Sequence, residues 1–426
     1  MREVQFLKPV EGLSDCTSVG NRVVLASRSM RVLAACSLGG AGHLNPLLPF
    51  LAAFRRRGDD VLVVGPHALA DMVADAGYPF RPAGEPSEAE IAPIRERLAI
   101  ASQREASILG NRELFARMAT TAMLPVMQQV CDEWRPNVIL RDPCEYSSAV
   151  VAGRRSLPTV QVAISLAATE AGSIDVAAPA LEKHRVGLAQ ELRVSPYLTR
   201  MPASLDPSPF SRTLRFRDVG RPPSVALPDW WSGSQQPLVY VSFGTVLGHM
   251  SMAADIYRVA LQALADLPVR ALLTVGRKFD RTLLGTVPTN VHVEAWVDQH
   301  DVFAHASAML CHGGSGTVFG ALAAGVPMVV VPAFSDQFAN GALVSASGAG
   351  LIVAAKQDSG TDIRRVVDSR DAVRMSAALT AVLGTPAFRA SAQRVGSEMA
   401  AAPDIDALVT MLGNEVFPAK SSFSRP

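Results

Sequence analysis

Twice along this chain an apolar run of strand length ends in a turn of small residues and passes into helical periodicity. Met30 to Ser37 leads into Leu38-Gly39-Gly40-Ala41-Gly42-His43, and then Leu44, Leu47, Leu48, Leu51, Ala52 and Phe54 recur at helical spacing to about Arg57-Gly58. Ala308–Cys311 leads into His312-Gly313-Gly314-Ser315-Gly316-Thr317 and a helical pattern over Thr317–Ala324. Parallel strands need a crossover between them, usually a helix, and they are buried on both faces. Each half is therefore predicted to be α/β, a doubly wound parallel sheet. In the first half, strands are expected at Asp60–Gly65, Asn137–Arg141 and Thr159–Ile164, with helices at His67–Ala76 and Glu145–Arg155. In the second, strands are expected at Leu238–Phe243, Arg270–Val275, Val291–Glu294 and Met328–Val331, with helices at Ala253–Ala265 and Gln337–Ser347.

The two halves are separated by a stretch, 202–237, punctuated by Pro202, Pro207, Pro209, Pro222, Pro223, Pro228 and Pro237. A chain of 426 residues, 49% of them apolar, has material for two cores of about 200 residues each. The expected organisation is an N-terminal extension over 1–29, a first domain over 30–217, a linker over 218–236 and a second domain over 237–426. A cleft lies between the two, and the last helix is free to pack back on the first domain. Residues 83–134 and 165–205 read as helices and loops inserted into the first framework.

Net charge is about +1, which argues against a nucleic-acid partner. The cysteines, Cys16, Cys36, Cys131, Cys144 and Cys311, are odd in number and form no CxxC pair. They read as reduced core thiols of a cytoplasmic protein. Arg2, Glu3, Lys8, Glu11 and Asp15 interrupt any signal-peptide core in 1–29, which reads as a mobile extension or as the product of an early start. No apolar run has the length of a transmembrane segment.

The segment from Trp296 to Gln337 carries the most chemistry. In His312-Gly313-Gly314-Ser315-Gly316-Thr317 the glycines let backbone N–H groups approach an anion, and a helix N-terminus adds partial positive charge. His312 can donate to a phosphate oxygen and stabilise the charge of a leaving diphosphate. The plainer alternative is a strand-to-helix turn that binds nothing. Trp296 can stack on a nucleobase, although a lone tryptophan is more often core. Asp336-Gln337, again after a strand, offers acceptors and an amide donor to sugar hydroxyls, or Asp336 simply caps a helix.

The run WVDQHDVFAHASAMLCHGGSGTVFGALAAGVPMVVVPAFSDQFANG resembles the nucleotide-sugar signature of natural-product glycosyltransferases, and most closely that of actinobacterial antibiotic and enediyne enzymes. GGAGHLNPLLPFLAAFRRRGDDV, RPNVILRD and PLVYVSFGT extend the resemblance over the framework of both halves. It implies a GT-B fold, two Rossmann-like domains facing across a cleft. It also implies that Trp296 stacks on the base while the Val297 backbone reads its edge. His312, Gly314, Ser315, Gly316 and Thr317 would hold the diphosphate, with Ser242 and Thr245 reaching it from the other side, and Asp336 and Gln337 would bind the sugar. Many members that use uridine donors carry a Glu eight residues after the phosphate histidine to hold the ribose; here that position is Gly320. The sequence therefore leans to a dTDP-sugar, with UDP open.

His43 suits a base that takes the acceptor proton near neutral pH, and its place at the mouth of a helix is expected to disfavour the imidazolium. A backbone-bonded histidine at the helix mouth is the alternative. The resemblance places the catalytic base at His43 and its acidic partner at Asp142. Asp142-Pro143-Cys144-Glu145 also reads as a helix cap with Pro at its first position.

Gly40-Ala41-Gly42 lacks the third glycine of a dinucleotide fingerprint, because Asn45 stands there. Asp404-Ile405-Asp406 is read as a helix cap rather than a metal ligand, and no metal or cofactor is expected. The expected activity is an inverting, metal-independent transfer of a sugar from a nucleotide diphosphate to a hydroxyl of a small apolar acceptor. A nucleotide-sugar epimerase of the same fold and a non-catalytic sugar-nucleotide-binding partner protein are the alternatives, and a homodimer is left open.

Overall fold

A computed structural model describes residues 29–38, 40–218, 226–244, 253–354 and 367–416. The first half contains β1 (Arg31–Ala35), β2 (Asp60–Pro66), β3 (Phe80–Ala83), β4 (Val138–Arg141), β5 (Thr159–Val162), β6 (Tyr197–Thr199) and β7 (Thr213–Arg215). All pair in parallel, in the order β3-β2-β1-β4-β5-β6-β7. The second half contains β8 (Leu238–Ser242), β9 (Arg270–Thr274), β10 (Val291–Glu294), β11 (Ala308–Cys311), β12 (Met328–Val330) and β13 (Gly350–Ile352). These too are parallel, in the order β10-β9-β8-β11-β12-β13.

Each sheet is buried on both faces, as its continuous apolar strands require. Along β1, Val32 and Ala34 join one core with Phe50 and Phe54, while Leu33 and Ala35 join another with Met127 and Val151. Along β8, Val239 and Val241 pack with Tyr257 and Leu379, and Leu238 and Tyr240 with Val318 and Leu322.

The helix Ile405–Val416 does return to the first half. Ile405, Leu408, Val409 and Leu412 enter the core that holds Phe50 and Phe54. Arg56 pairs with Asp406 at 2.9 Å, and the Asp404 carboxylate accepts from the Ala407 N–H at 2.8 Å. The two carboxylates of the DxD thus serve a cap and an ion pair. Toward the second half, Leu166 and Met201 are buried against Val318 and Phe319.

Several expectations shift. The helix expected from Leu44 onward is two helices, Ala41–Leu44 and Leu48–Arg56. Pro46 and Pro49 have no N–H to continue a single ladder. The helix expected from Glu145 begins at Ser147. Four short strands, β3, β6, β7 and β13, were not expected. Residues 83–134 include a π-helix, Ile108–Ala119. Of the expected linker, 219–225 lie outside the described residues, as do Cys16, Thr245 and the extension up to residue 28. Cys36, Cys131, Cys144 and Cys311 are free thiols. No described helix is long and apolar enough to cross a membrane.

Candidate active site

In each sheet the strand order reverses once, between β1 and β4 and between β8 and β11. Crossovers leave in opposite directions there, so a crevice opens at the carboxyl ends of the strands, where open α/β sheets bind ligands. The first reversal carries His43, just after β1, and Asp142, just after β4. The second carries Ser242, ending β8, and His312, just after β11.

Ala35 is in register with Arg141, so the two chains leave the sheet side by side. Gly40, at φ 66°, turns the first into the helix Ala41–Leu44. His43 Nδ1 then lies 3.2 Å from Asp142 Oδ1, with 14% of the imidazole side chain open and the carboxylate fully buried. The approach is off the line of a well-directed hydrogen bond, and Nδ1 has no other partner. Asp142 does not cap the helix as its sequence suggested. Its Oδ2 accepts from Ser37 N–H at 2.6 Å and its Oδ1 from Cys144 N–H at 2.8 Å. Glu145 receives the N–H of Ser148 and the hydroxyls of Ser147 and Ser148 instead. The turn between them is held from below by buried Arg141, whose guanidinium donates to the carbonyls of Pro143 and Glu145 and to Gln161 Oε1. The helix that carries His43 is shorter than the sequence suggests. A helix of four residues with His43 in its last turn has little field to offer. Burial pushes the thiols of Cys36 and Cys144 well up, with Asp142 adding to it, so neither is a nucleophile near neutral pH.

On the facing reversal, Cys311 is in register with Ser242. Gly313 has φ 90°, and a Cβ there would meet Val330 Cγ1 at 2.7 Å, so the turn requires glycine. Gly314 precedes the helix Ser315–Ala323 and places no side chain over its first turn. Ser315, Gly316 and Thr317 form that first turn, and the Thr317 N–H already donates to Gly314 O at 3.1 Å. His312 Nε2 fills the notch between Gly244 and Gly314; a Cβ on Gly244 would lie 2.7 Å from it. The imidazole keeps part of its surface open, yet burial pushes it down to about 4. Asp336 and the Ser242 backbone oppose that shift only in part.

Trp296 is no core residue. It is 53% exposed after the carboxyl end of β10, with the Arg277 guanidinium 4.9 Å over its ring. Val297, the next residue, packs against the second-half core. Asp336 stands at the N-cap position of the helix Gln337–Ala346 but makes no capping bond. Ser335, at φ 58°, turns it back. Its Oδ2 accepts from Ser315 Oγ at 2.7 Å, Ser165 Oγ at 3.0 Å and Asn340 Nδ2 at 3.2 Å. Gln337 opens the same helix. It is buried, and its Oε1 accepts from the N–H groups of Ala333 and Phe334, so its carbonyl holds the loop. Gly320 packs on Phe303, which a Cβ would approach to 3.0 Å. A side chain at that position has to displace a ring.

The sequence reading missed Ser165, Asn340, Glu170 and Arg200. Ser165 follows β5 and reaches Asp336 in the other half, and Arg200 Nη2 donates to Gly316 O at 3.5 Å. Position after a strand was the one signal available for Ser165. Glu170 is buried and takes the N–H groups of Ile164 and Ser165 at 2.7 and 2.6 Å, which sets the loop that carries Ser165. Among the described residues no group of three or more His, Cys, Asp or Glu has metal-binding geometry.

The chain matches the family models described as erythromycin biosynthesis protein CIII-like, N-terminal domain over residues 52–244 and C-terminal domain over residues 258–414. It is 31% identical to an elloramycin glycosyltransferase of Streptomyces olivaceus, over 88% of this chain and 94% of that one. It is 28% identical to an L-demethylnoviosyl transferase of Streptomyces niveus, over 88% and 95%. A spinosyn rhamnosyltransferase complexed with thymidine diphosphate shares the fold at a TM-score of 0.74, with 25% identity over 90% of this chain and all (100%) of that one. A glycosyltransferase structure from Streptomyces nogalater, at 24% identity over 91% and 100%, aligns with a TM-score of 0.70.

Burial pushes Glu170 up to about 8 from an ordinary 4.5. Between those values the folded chain holds a proton that the unfolded chain does not. The stabilisation is therefore complete below pH 4.5 and is lost as pH rises through 8. Glu170→Gln keeps an oxygen for Ile164 and Ser165 and should flatten the loss of melting temperature over that interval. A melting profile as steep as that of the unsubstituted chain would exclude Glu170 as its source.

Proposed function

The chain belongs to the CIII-like family of GT-B natural-product glycosyltransferases, and on that premise we propose an inverting, metal-independent transfer of a dTDP-linked sugar to a hydroxyl of a small apolar acceptor. The observation that carries the reading is the pairing of two crevices. A histidine–aspartate pair stands on one, and a glycine-rich helix N-terminus with a neutral histidine stands on the other. Ser165 bridges them through Asp336 at 3.0 Å. The thiol of Cys144, two residues after Asp142, feels the charges of both Asp142 and Asp336, so both carboxylates lie within one electrostatic neighbourhood.

In this reading the nucleobase stacks on Trp296 and the diphosphate sits on the first turn of Ser315–Ala323. His312, neutral before the donor arrives, donates one N–H to the phosphate, and Ser242 flanks it. The sugar hydroxyls exchange with Ser165 and Ser315 on Asp336. The acceptor enters from the first half. His43 takes its hydroxyl proton as its oxygen attacks the anomeric carbon, and the diphosphate leaves with the electron pair of the broken bond. Asp142, pinned by two backbone N–H groups, stabilises the imidazolium, as the aspartate of a triad does. Cytoplasmic location is consistent with reduced thiols.

The donor preference rests on Gly320 and on the thymidine diphosphate bound by the spinosyn rhamnosyltransferase. In a thermal-shift titration without metal, dTDP should raise the melting temperature more than UDP at equal concentration. A larger UDP shift would overturn the donor assignment. A general base contributes about 10²–10⁴-fold. His43→Ala should therefore lose at least about 100-fold in transfer and keep the dTDP shift; loss of both would make His43 structural.

A further inference from the structure

The carboxylate of Asp142 is fixed by Ser37 and Cys144, but the imidazole of His43 is not fixed by the carboxylate, because the 3.2 Å approach lacks hydrogen-bond alignment. What lies against the imidazole is Phe115. The two rings stack with centroids 5.6 Å apart and planes 28° from parallel. Phe115 is half-buried, with one side packed on the core that holds Ala116, Tyr146 and Ala171 and a face left for the imidazole.

The segment that presents it is also unusual. Ile108–Ala119 is π-helical for 12 residues, whereas π geometry mostly occurs as single turns, often at functional sites. Side chains hold this register. Thr120 Oγ1 donates to Phe115 O at 2.9 Å, His184 Nε2 meets Ala116 O at 3.0 Å, and Arg112 Nε donates to Val176 O at 2.8 Å. The last two tie the segment to the helix Ala167–His184. The wider turn and its anchors set where Phe115 points.

We propose that Phe115 is a positioning residue for His43: its ring face orients the imidazole toward Asp142 and stabilises the imidazolium formed when His43 takes the acceptor proton. The inference rests on the reading of His43 as the base. The attraction is that of a cation over the electron-rich face of an aromatic ring. In the step itself the acceptor O–H proton moves to the ring nitrogen opposite Nδ1. The acceptor oxygen bonds to the anomeric carbon, and the bond from that carbon to the diphosphate oxygen breaks.

The charged groups on the elements packed round His43 are few. Asp142 is in contact, and Glu145 is buried behind it on Ser147 and Ser148. On the π-helical segment Arg112 is held by Val176 O, and Glu113 and Arg117 pair with each other. Asp336 lies across the cleft. None of these changes in Phe115→Leu or Phe115→Met. The test is an NMR titration of the His43 imidazole, assigned by the resonance lost in His43→Ala, with melting temperatures measured alongside. Phe115→Leu and Phe115→Met should each lower the proton affinity of His43 by about 3- to 30-fold, and Phe115→Tyr should restore it. An unchanged titration in the folded variants would overturn the proposal, as would the same loss in Phe115→Tyr. Wild-type transfer by His43→Ala would remove the base reading and leave the ring contact as measured.

Discussion

The reversal of strand order in each sheet is the constraint on which the site depends. At β1/β4 and β8/β11 the crossovers diverge, so the carboxyl ends of four strands are left without a covering helix. A buried parallel sheet leaves little room for polar side chains along its strands, since both faces are core, and those it holds, such as Arg141 and Gln161, are bonded to protein partners. It can place others where the strands stop. Asp142, Ser242 and His312 stand at or just past such an end, and the turn after β1 brings His43 back to one. The register of Ala35 with Arg141 and of Cys311 with Ser242 fixes their spacing.

Burial then determines how each group behaves. The crevice next to β4 holds Arg141, Asp142 and Glu145 almost without solvent, and each has partners that a buried polar group requires. His312 and Glu170 are both held neutral near pH 7 by burial, one pushed down to about 4 and the other up to about 8. Their demands are opposite in sign. Acidification from the ordinary histidine range toward 4 costs stability through His312, and alkalinity toward 8 costs it through Glu170. Glu170 also shapes the loop whose Ser165 touches Asp336. A buried acid of one half thus sets a contact with the carboxylate proposed to bind the sugar in the other.

Much of the frame was legible in the sequence, because long apolar runs and glycine turns report the crossover units directly. The strands that escaped, β6, β7 and β13, have three residues each, too few for a pattern, and β3 carries Pro82 and exposed side chains. At the site, the glycines of 312–317 were legible as a turn, and the structure shows Gly313 at φ 90° with no room for a Cβ. The capping pattern of 142–145 misled, since the Glu145 carboxylate takes the Ser148 N–H at the helix start while Asp142 accepts from Ser37 and Cys144. What local pattern did not show at Gln337 is that its carbonyl accepts from the Ala333 and Phe334 N–H groups and so holds its own loop. Asn340 and Phe115 could not be found from local pattern, and Ser165 had only its position after a strand. Their significance lies in contacts made across 25, some 70 and 171 residues of chain.

The central claim is that one base on the first half activates an acceptor hydroxyl against a donor seated on the second, with no covalent sugar intermediate. A single displacement inverts the anomeric centre. The most direct test supplies an α-linked dTDP-sugar with a panel of apolar hydroxyl acceptors and reads the anomeric configuration of the glycoside by its proton coupling. The account predicts a β-glycoside. An α-glycoside would mean retention, and it would contradict the role given to His43.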